Sequence, residues 1–220
     1  MKKQIIFYVL IFLGLSFSAC DFKQKEKNAL EDAQSLNKPS DSLDIYEVSC
    51  ERVGVIEKKD KELQLRMKFG ESAVTRDSFF LEGMFQEMVT IVDKGKPSEL
   101  QIHWDEHGRI AFIDIAREDS PYHLTNGIRI GTSLSKLAAL NQKAISFYGF
   151  GWDYSGTLQG MNQGKLEESF PCFSGALACK DETYPSVLLG DQIITSDFPE
   201  ANQVDIYLST MRISFEKKSQ

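Results

Sequence analysis

The sequence has little of what cofactor-dependent enzymes and nucleic-acid-binding proteins commonly use. It contains 3 histidines in 220 residues, and Asp plus Glu outnumber Lys plus Arg by 32 to 25, so the formal net charge is −7. An acidic chain without a basic cluster is poorly suited to neutralise phosphates, which removes nucleic acid from the expected partners. Neither the phosphate-binding loop nor the dinucleotide fingerprint occurs in the sequence, and no cofactor is expected.

Long apolar runs are missing except at the start of the chain. There, Lys2 and Lys3 precede an apolar run over residues 5–15, and small residues lead to Cys20. This is the order of a secretory signal peptide, and a cysteine at the cleavage position is typical of bacterial lipoproteins. We expect residues 1–19 to be a lipoprotein signal peptide and lipid on Cys20 to anchor the mature chain in the cell envelope, with the outer membrane favoured. An ordinary signal peptide or a short membrane anchor is the alternative, although the run is short for a membrane span.

Catalytic and metal-binding patterns are also lacking. His103 and His107 flank Trp-Asp-Glu, but residues 105–108 are typical of a hairpin turn, so the two imidazoles need not converge and no metal site is predicted. No serine or cysteine is matched with a histidine as a catalytic triad requires. Carboxylates are abundant but are not paired by a recognisable motif. A non-enzymatic protein is therefore favoured, and a hydrolase that uses scattered carboxylates on envelope polymers is an alternative.

Composition and periodicity divide the chain. Residues 20–44 are polar and charged, which predicts a flexible tether, and residues 45–218 are expected to form the globular domain, with 45–118 and 124–218 as candidate sub-units. Alternating apolar residues predict strands, and short helical stripes occur near residues 60–69 and 133–141. We therefore predict an α+β fold with a largely antiparallel sheet and a few short helices. A weak internal repeat of strand, helix and strand is suggested by the similar order in the two sub-units.

The end of the domain carries two alternating patterns that are out of phase. Val204, Ile206 and Leu208 occupy even positions, whereas Met211, Ile213 and Phe215 occupy odd positions. A shift of one residue reverses the face that a strand presents, so we predict a bulge or tight turn around residues 209–210.

An odd number of cysteines remains after lipidation of Cys20. These are Cys50, Cys172 and Cys179, in a chain that is predicted to enter an oxidising compartment. Cys172 and Cys179 enclose a short segment with Gly175, and a disulfide between them is the favoured prediction. Cys50 lies in a predicted strand and competes for either partner, and three reduced thiols are the remaining alternative.

One segment is unusually aromatic. In residues 147–156, Tyr148, Phe150, Trp152 and Tyr154 alternate with two glycines and Asp153. On a strand these four rings share one face. They then form either a platform for a sugar ring or another flat ligand, or a core-facing surface. The core-facing interpretation is favoured because aromatic side chains dominate protein cores.

One set of motifs in the sequence resembles a known family. Residues 127–134, Leu137, Leu140 and Asn141, then residues 149–156 and 164–166, resemble a family of small uncharacterised lipoproteins and secreted proteins of Bacteroidota-type bacteria. The resemblance covers most of residues 50–170. It implies an envelope location and an α+β fold, and it implies no activity or catalytic residue.

Three functional hypotheses follow from these observations. The first is a non-enzymatic binding or scaffold module whose partner is an envelope protein or glycan. The second is the envelope-polymer hydrolase. The third is a carrier of a small ligand or glycan that uses the aromatic strand at residues 147–156, and a pocket around exposed Trp152 and Tyr154 would favour it.

Overall fold

A computed structural model describes residues 44–81, 85–181, 183 and 185–215. These residues belong to one compact unit that begins at Asp44. The predicted signal peptide, Cys20 and all but the last residue of the predicted tether lie outside the described residues. In the part of the chain that is described, no helix is long and apolar enough to cross a bilayer.

Short strands dominate the secondary structure. The described residues form thirteen strands, three α-helices and three 3-10 turns. The strands are β1 (Glu47–Val48), β2 (Arg52–Val53), β3 (Ile56–Glu57), β4 (Val74–Leu81), β5 (Phe85–Val92), β6 (Leu100–Trp104), β7 (Ile110–Ile115), β8 (His123–Leu124), β9 (Ser146–Tyr148), β10 (Leu158–Gly160), β11 (Phe173–Cys179), β12 (Ile193–Thr195) and β13 (Ile206–Ser214). The helices are α1 (Glu62–Phe69), α2 (Leu134–Asn141) and α3 (Lys165–Ser169), and the 3-10 turns are Glu71–Ala73, Ser186–Leu188 and Pro199–Asn202.

The strands form three sheets. The largest has the order β11-β13-β7-β6-β5-β4, and the smaller ones have the orders β3-β2-β1-β8 and β10-β9-β12. Among the described strands every neighbouring pair is antiparallel except β1 and β8. The predicted α+β class with a largely antiparallel sheet and short helices is confirmed.

The core is built on one face of the large sheet. Ile102, Ile113 and Ile213 are direct neighbours across β6, β7 and β13, and all three are fully buried. Helix α2 adds the buried Leu134 and Leu137. Burial of such side chains stabilises the fold by about 1.5–3 kcal/mol each.

The predicted bulge near the C-terminal end is confirmed. Strand β13 pairs with β11 through Ala176 and Thr210, and the next pair joins Leu177 to Leu208, so Ser209 is passed over. The extra residue keeps Ile206 and Leu208 on the same buried side as Met211 and Ile213.

The suggested internal repeat is not supported. The two candidate sub-units share sheets, because β7 pairs with β13 and β1 pairs with β8. Residues 53–56, which the repeat needs as one strand, form two separate short strands joined at Gly54, where φ is +57°. A non-glycine residue would be strained in this left-handed conformation.

The predicted disulfide between Cys172 and Cys179 is wrong. Cys172 is bonded to Cys50, with an S–S distance of 2.02 Å and a Cα–Cα distance of 5.4 Å, and Cys179 is a half-buried free thiol. The segment between Cys172 and Cys179 is the extended strand β11 rather than a loop. At about 3.3 Å per residue, a strand of this length holds its ends too far apart for a disulfide.

Candidate functional site

The aromatic segment at residues 147–156 does not form one strand. Strand β9 ends at Tyr148, and the chain then turns through Gly151 and Gly156, whose φ values are +89° and +68°. Phe150 is buried, whereas Trp152 is 65% exposed and Tyr154 is 58% exposed. The favoured core-facing prediction is therefore wrong for Trp152 and Tyr154, because the glycines redirect the chain away from the sheet.

Strand β9 separates the core from the exposed surface. Phe147 is fully buried and lies opposite Leu158 on β10 and Ile194 on β12. The next residue, Tyr148, is half-buried on the other face and lies opposite the exposed Ile193.

The ring of Tyr148 also contacts the exposed loop. Its centroid lies 5.3 Å from that of Tyr154, in a tilted arrangement. Two of the four predicted platform residues are therefore in contact with each other, and they are not arranged by strand alternation.

A second loop, at residues 185–192, runs beside the first. The Gly149 N–H donates to the Gln192 carbonyl at 3.0 Å, and the Phe150 N–H donates to the Leu188 carbonyl at 2.7 Å. The Gly190 N–H donates to the Phe150 carbonyl at 3.0 Å. A Cβ at Gly149 would lie 2.5 Å from the Gly190 carbonyl oxygen, so the close approach of the two loops requires glycine there.

Together the two loops expose a cluster of large apolar side chains. Of the nine large apolar side chains that are exposed in the described residues, five lie on these loops or where the second loop enters β12. We call the five, with the half-buried Tyr148, the aromatic patch: Tyr148, Trp152, Tyr154, Val187, Leu189 and Ile193. On soluble proteins, contiguous exposed apolar patches are a feature of interaction and ligand-binding sites.

Hydrogen bonds within the loops hold the patch in place. The Ser155 hydroxyl accepts from the Gly151 N–H at 3.1 Å, and the Gln192 side-chain amide donates to the carbonyls of Val187 and Leu189. Two consecutive turns place Trp152 and Tyr154, since Ser155 N–H donates to the Trp152 carbonyl at 2.9 Å and Thr157 N–H donates to the Tyr154 carbonyl at 2.8 Å. A surface whose loops are already ordered loses less entropy on binding.

The charged side chains within the two loops are of one sign. Asp153 and Asp191 are exposed within the two loops, and residues 149–158 and 185–197 contain no Lys or Arg. Neither carboxylate is in an ion pair among the described residues, although many carboxylates elsewhere in the domain are paired.

A separate groove of about 620 Å³ lies between α1 and the β4–β6 part of the large sheet. Its polar groups already have partners. Trp104 Nε1–H donates to the Thr90 hydroxyl at 2.9 Å, and Lys61 Nζ donates to the Gly108 carbonyl at 2.7 Å. The patch contributes no residue to this groove or to the two smaller cavities described.

The three histidines lie in different places. His103 is buried in the large sheet, stacks on Phe112 at 4.1 Å between ring centroids, and lies 3.7 Å from Asp114. His107 is exposed in the β6–β7 turn, and His123 lies on β8. Among the described residues, no group of three His, Cys, Asp or Glu side chains is arranged to hold a metal.

The carboxyl groups do not resemble a glycosidase pair. Among described carboxyl groups with a clear shift, every pKa lies below its usual range, because neighbouring cations and hydrogen-bond donors stabilise the charged form: Glu57, Glu62, Asp77, Asp105, Asp119 and Glu168. A general acid requires a raised pKa. The described carboxyl groups thus offer no support for the hydrolase hypothesis.

Comparison with protein-family models, with curated proteins and with solved structures finds no match to this chain.

Three members of the patch were not found by sequence reasoning: Val187, Leu189 and Ile193. A signal for Ile193 exists in the sequence, because it directly precedes Ile194 in a run that is typical of a strand. Successive residues of an extended segment point to opposite sides, so both members of such a pair are rarely buried. In the structure Leu188 and Ile194 are buried and their neighbours are exposed.

Proposed function

We propose that this chain is a lipid-anchored protein of the bacterial cell envelope that acts as a non-enzymatic binding module through the aromatic patch. The anchor rests on the sequence order that leads to Cys20. The resemblance to lipoproteins of Bacteroidota-type bacteria supports the same location. The partner belongs to the envelope and is a protein or a glycan.

The observation that carries the proposal is the exposure of the patch. Burying a large apolar side chain is worth about 1.5–3 kcal/mol, so a partner that covers several of them gains substantial binding energy. Trp and Tyr are the residue types that most often dominate such interfaces. Trp152 and Tyr154 are both exposed on one hydrogen-bonded loop, where a partner can reach them.

The two other hypotheses have less support. The carrier hypothesis needs a concave site around the aromatic segment, and none of the three cavities described includes a residue of the patch. The hydrolase hypothesis needs two carboxyl groups with separated pKa values, and the shifted ones described are all lowered.

Photo-crosslinking in the native envelope tests the proposal. The full chain is produced with a photoreactive phenylalanine analogue in place of Tyr154 or, as the control, of Glu106, whose side chain is 85% exposed in the β6–β7 turn. We expect a discrete adduct from position 154, none from position 106, and loss of the adduct when Trp152→Ser is added. Equal adducts from both positions, or an adduct that persists with Trp152→Ser, would contradict the proposal.

A further inference from the structure

The charge around the aromatic patch narrows the class of partner. Asp153 lies between Trp152 and Tyr154 in sequence, and Asp191 follows Gly190, where an added Cβ would lie 3.9 Å from the Trp152 indole nitrogen. Both carboxylates are exposed and have no ion-pair partner among the described residues. The two loops carry no Lys or Arg, so the charges that they themselves present to a partner are negative.

This arrangement disfavours two kinds of partner. An anionic bilayer or anionic polymer would place its own charges against Asp153 and Asp191, and like charges brought together cost binding energy. A second copy of the same patch would do the same, since two copies would bring four carboxylates to one interface.

The composition of the patch favours a protein over a neutral glycan. Val187, Leu189 and Ile193 are aliphatic, and they offer no flat face to a sugar ring. Two of the polar side chains that could hold sugar hydroxyls, Ser155 and Gln192, already bond to the backbone of the loops, which leaves the Asp153 and Asp191 carboxylates as acceptors. Aromatic and aliphatic side chains with a charged rim are typical of protein–protein interfaces.

We propose that the patch docks a protein segment that presents Arg or Lys side chains beside apolar ones. The inference rests on the proposed function and adds the chemical class of the partner. The apolar side chains of the segment cover Leu189 and Ile193. Its cations lie over the Trp152 and Tyr154 rings, where cation–π attraction and the Asp153 and Asp191 carboxylates act together.

The same combination of a cation, an aromatic ring and a carboxylate occurs twice among the described residues. Lys180 Nζ lies 5.5 Å from the Tyr207 ring centroid and 2.9 Å from Asp205, and Arg212 has the closer arrangement. The Arg212 guanidinium lies 3.9 Å from the Phe112 ring centroid and donates to both carboxylate oxygens of Asp114 at 2.7 Å. An aromatic ring and a neighbouring carboxylate therefore hold an arginine within this fold. At the patch, the ring and the carboxylate are present and the cation is expected from the partner.

Three synthetic peptides test the inference. They are Ac-Leu-Arg-Leu-Leu-Arg-Leu-amide and its analogues with Gln or Glu in place of Arg, added to the mature chain from residue 20 with Cys20→Ser, so that no lipid is attached. The readout is the NMR signal of the Trp152 indole N–H. The sequence contains 2 tryptophans, and Trp104 lies in the separate groove, so its indole serves as an internal control.

We expect the Arg peptide to shift the Trp152 signal saturably and to leave the Trp104 signal in place. The Gln peptide is expected to bind about tenfold more weakly, which corresponds to about 1.4 kcal/mol, and the Glu peptide more weakly still. The double variant Asp153→Asn, Asp191→Asn is expected to lose most of the preference for Arg over Gln. Met67→Ser, at an exposed apolar position outside the patch, on α1, should leave the preference for Arg over Gln unchanged.

Four results would overturn the inference. They are equal binding of the Arg and Gln peptides, no binding of any peptide, a shift of Trp104 in place of Trp152, and a Trp152 shift produced by phosphatidylglycerol vesicles or by N-acetylglucosamine oligomers but not by the Arg peptide. If the crosslink at position 154 is still found, the binding module stands and only the basic protein partner is rejected.

Discussion

At the scale of single residues, glycine decides where the aromatic side chains point. The left-handed conformations of Gly151 and Gly156 turn the chain out of β9, and Gly149 lets the neighbouring loop approach. Phe147 and Phe150 are buried as a result, whereas Trp152 and Tyr154 project outwards. Side-chain type alone does not distinguish these two pairs.

The difference in burial predicts a difference in stability. Trp152→Ala should change the free energy of unfolding by no more than about 0.5 kcal/mol, because its side chain is mostly exposed. Phe147→Ala, at a fully buried position of the same segment, should cost about 3–5 kcal/mol. Urea denaturation of both variants measures this. A loss at Trp152 comparable to that at Phe147 would mean that the indole is buried.

Trp152 also shows where prediction from the sequence fails. Aromatic residues at every second position predict one face of a strand, and the glycines between them are compatible with close packing in a sheet. Whether a glycine lies in a strand or in a left-handed turn depends on contacts with residues 185–192, far along the sequence. Periodicity within a short window contains no information about such contacts.

A second residue, Glu62, links stability to pH. Arg76, and also Arg66, donate to its carboxylate and hold the pKa of Glu62 below its usual range. A carboxyl group whose pKa is lowered by folding stabilises the folded state at pH values above its unfolded pKa of about 4.3. This stabilisation is lost as the pH falls through the folded pKa.

Glu62→Gln should therefore flatten the loss of stability below about pH 4.3. Urea denaturation as a function of pH measures the slope, with Glu106→Gln at an exposed position as the control. If the free energy of unfolding depends on pH equally in Glu62→Gln and in the wild type, the two arginines do not stabilise the charged Glu62 carboxylate.

At the scale of elements, local sequence patterns are sufficient to predict the hairpin formed by β6 and β7. Alternation in residues 100–104 and 110–114 and the turn at 105–108 predict β6, β7 and their connection, which the structure confirms. Helix α2 and its Ser133 cap follow from a hydroxyl residue before a helical stripe. Pairing between distant elements, such as β13 with β7, depends on packing that no local pattern describes.

The disulfide is such a distant connection. Cys50 follows β1 in the four-stranded sheet, and Cys172 precedes β11 in the six-stranded sheet, at a sequence separation of 122. Non-reducing peptide mapping should find the Cys50–Cys172 link. Cys172→Ser should cost about 2–5 kcal/mol of stability, whereas Cys179→Ser should have little effect. A peptide that joins Cys172 to Cys179 would contradict this pairing.

At the scale of the whole molecule, we propose two functional parts: a lipid on Cys20 that anchors the chain, and an exposed patch on the folded domain that binds a partner. Cys20→Ala should abolish labelling with radioactive palmitate. When a cleavable signal peptide without a lipidation site also replaces residues 1–19, the protein should move to the soluble fraction of the periplasm. Membrane association that persists without label would contradict the lipid anchor.

The central claim is that a partner covers the aromatic patch in the cell envelope. Hydroxyl-radical footprinting of the full chain, in intact cells and after purification, tests it most directly. We predict that oxidation of Trp152 and Tyr154 is several-fold slower in cells than in the purified protein. Met67, 76% exposed on α1, is an internal control whose oxidation should be the same in both. Equal oxidation of Trp152 and Tyr154 in the two samples, with Met67 unchanged, would contradict the claim.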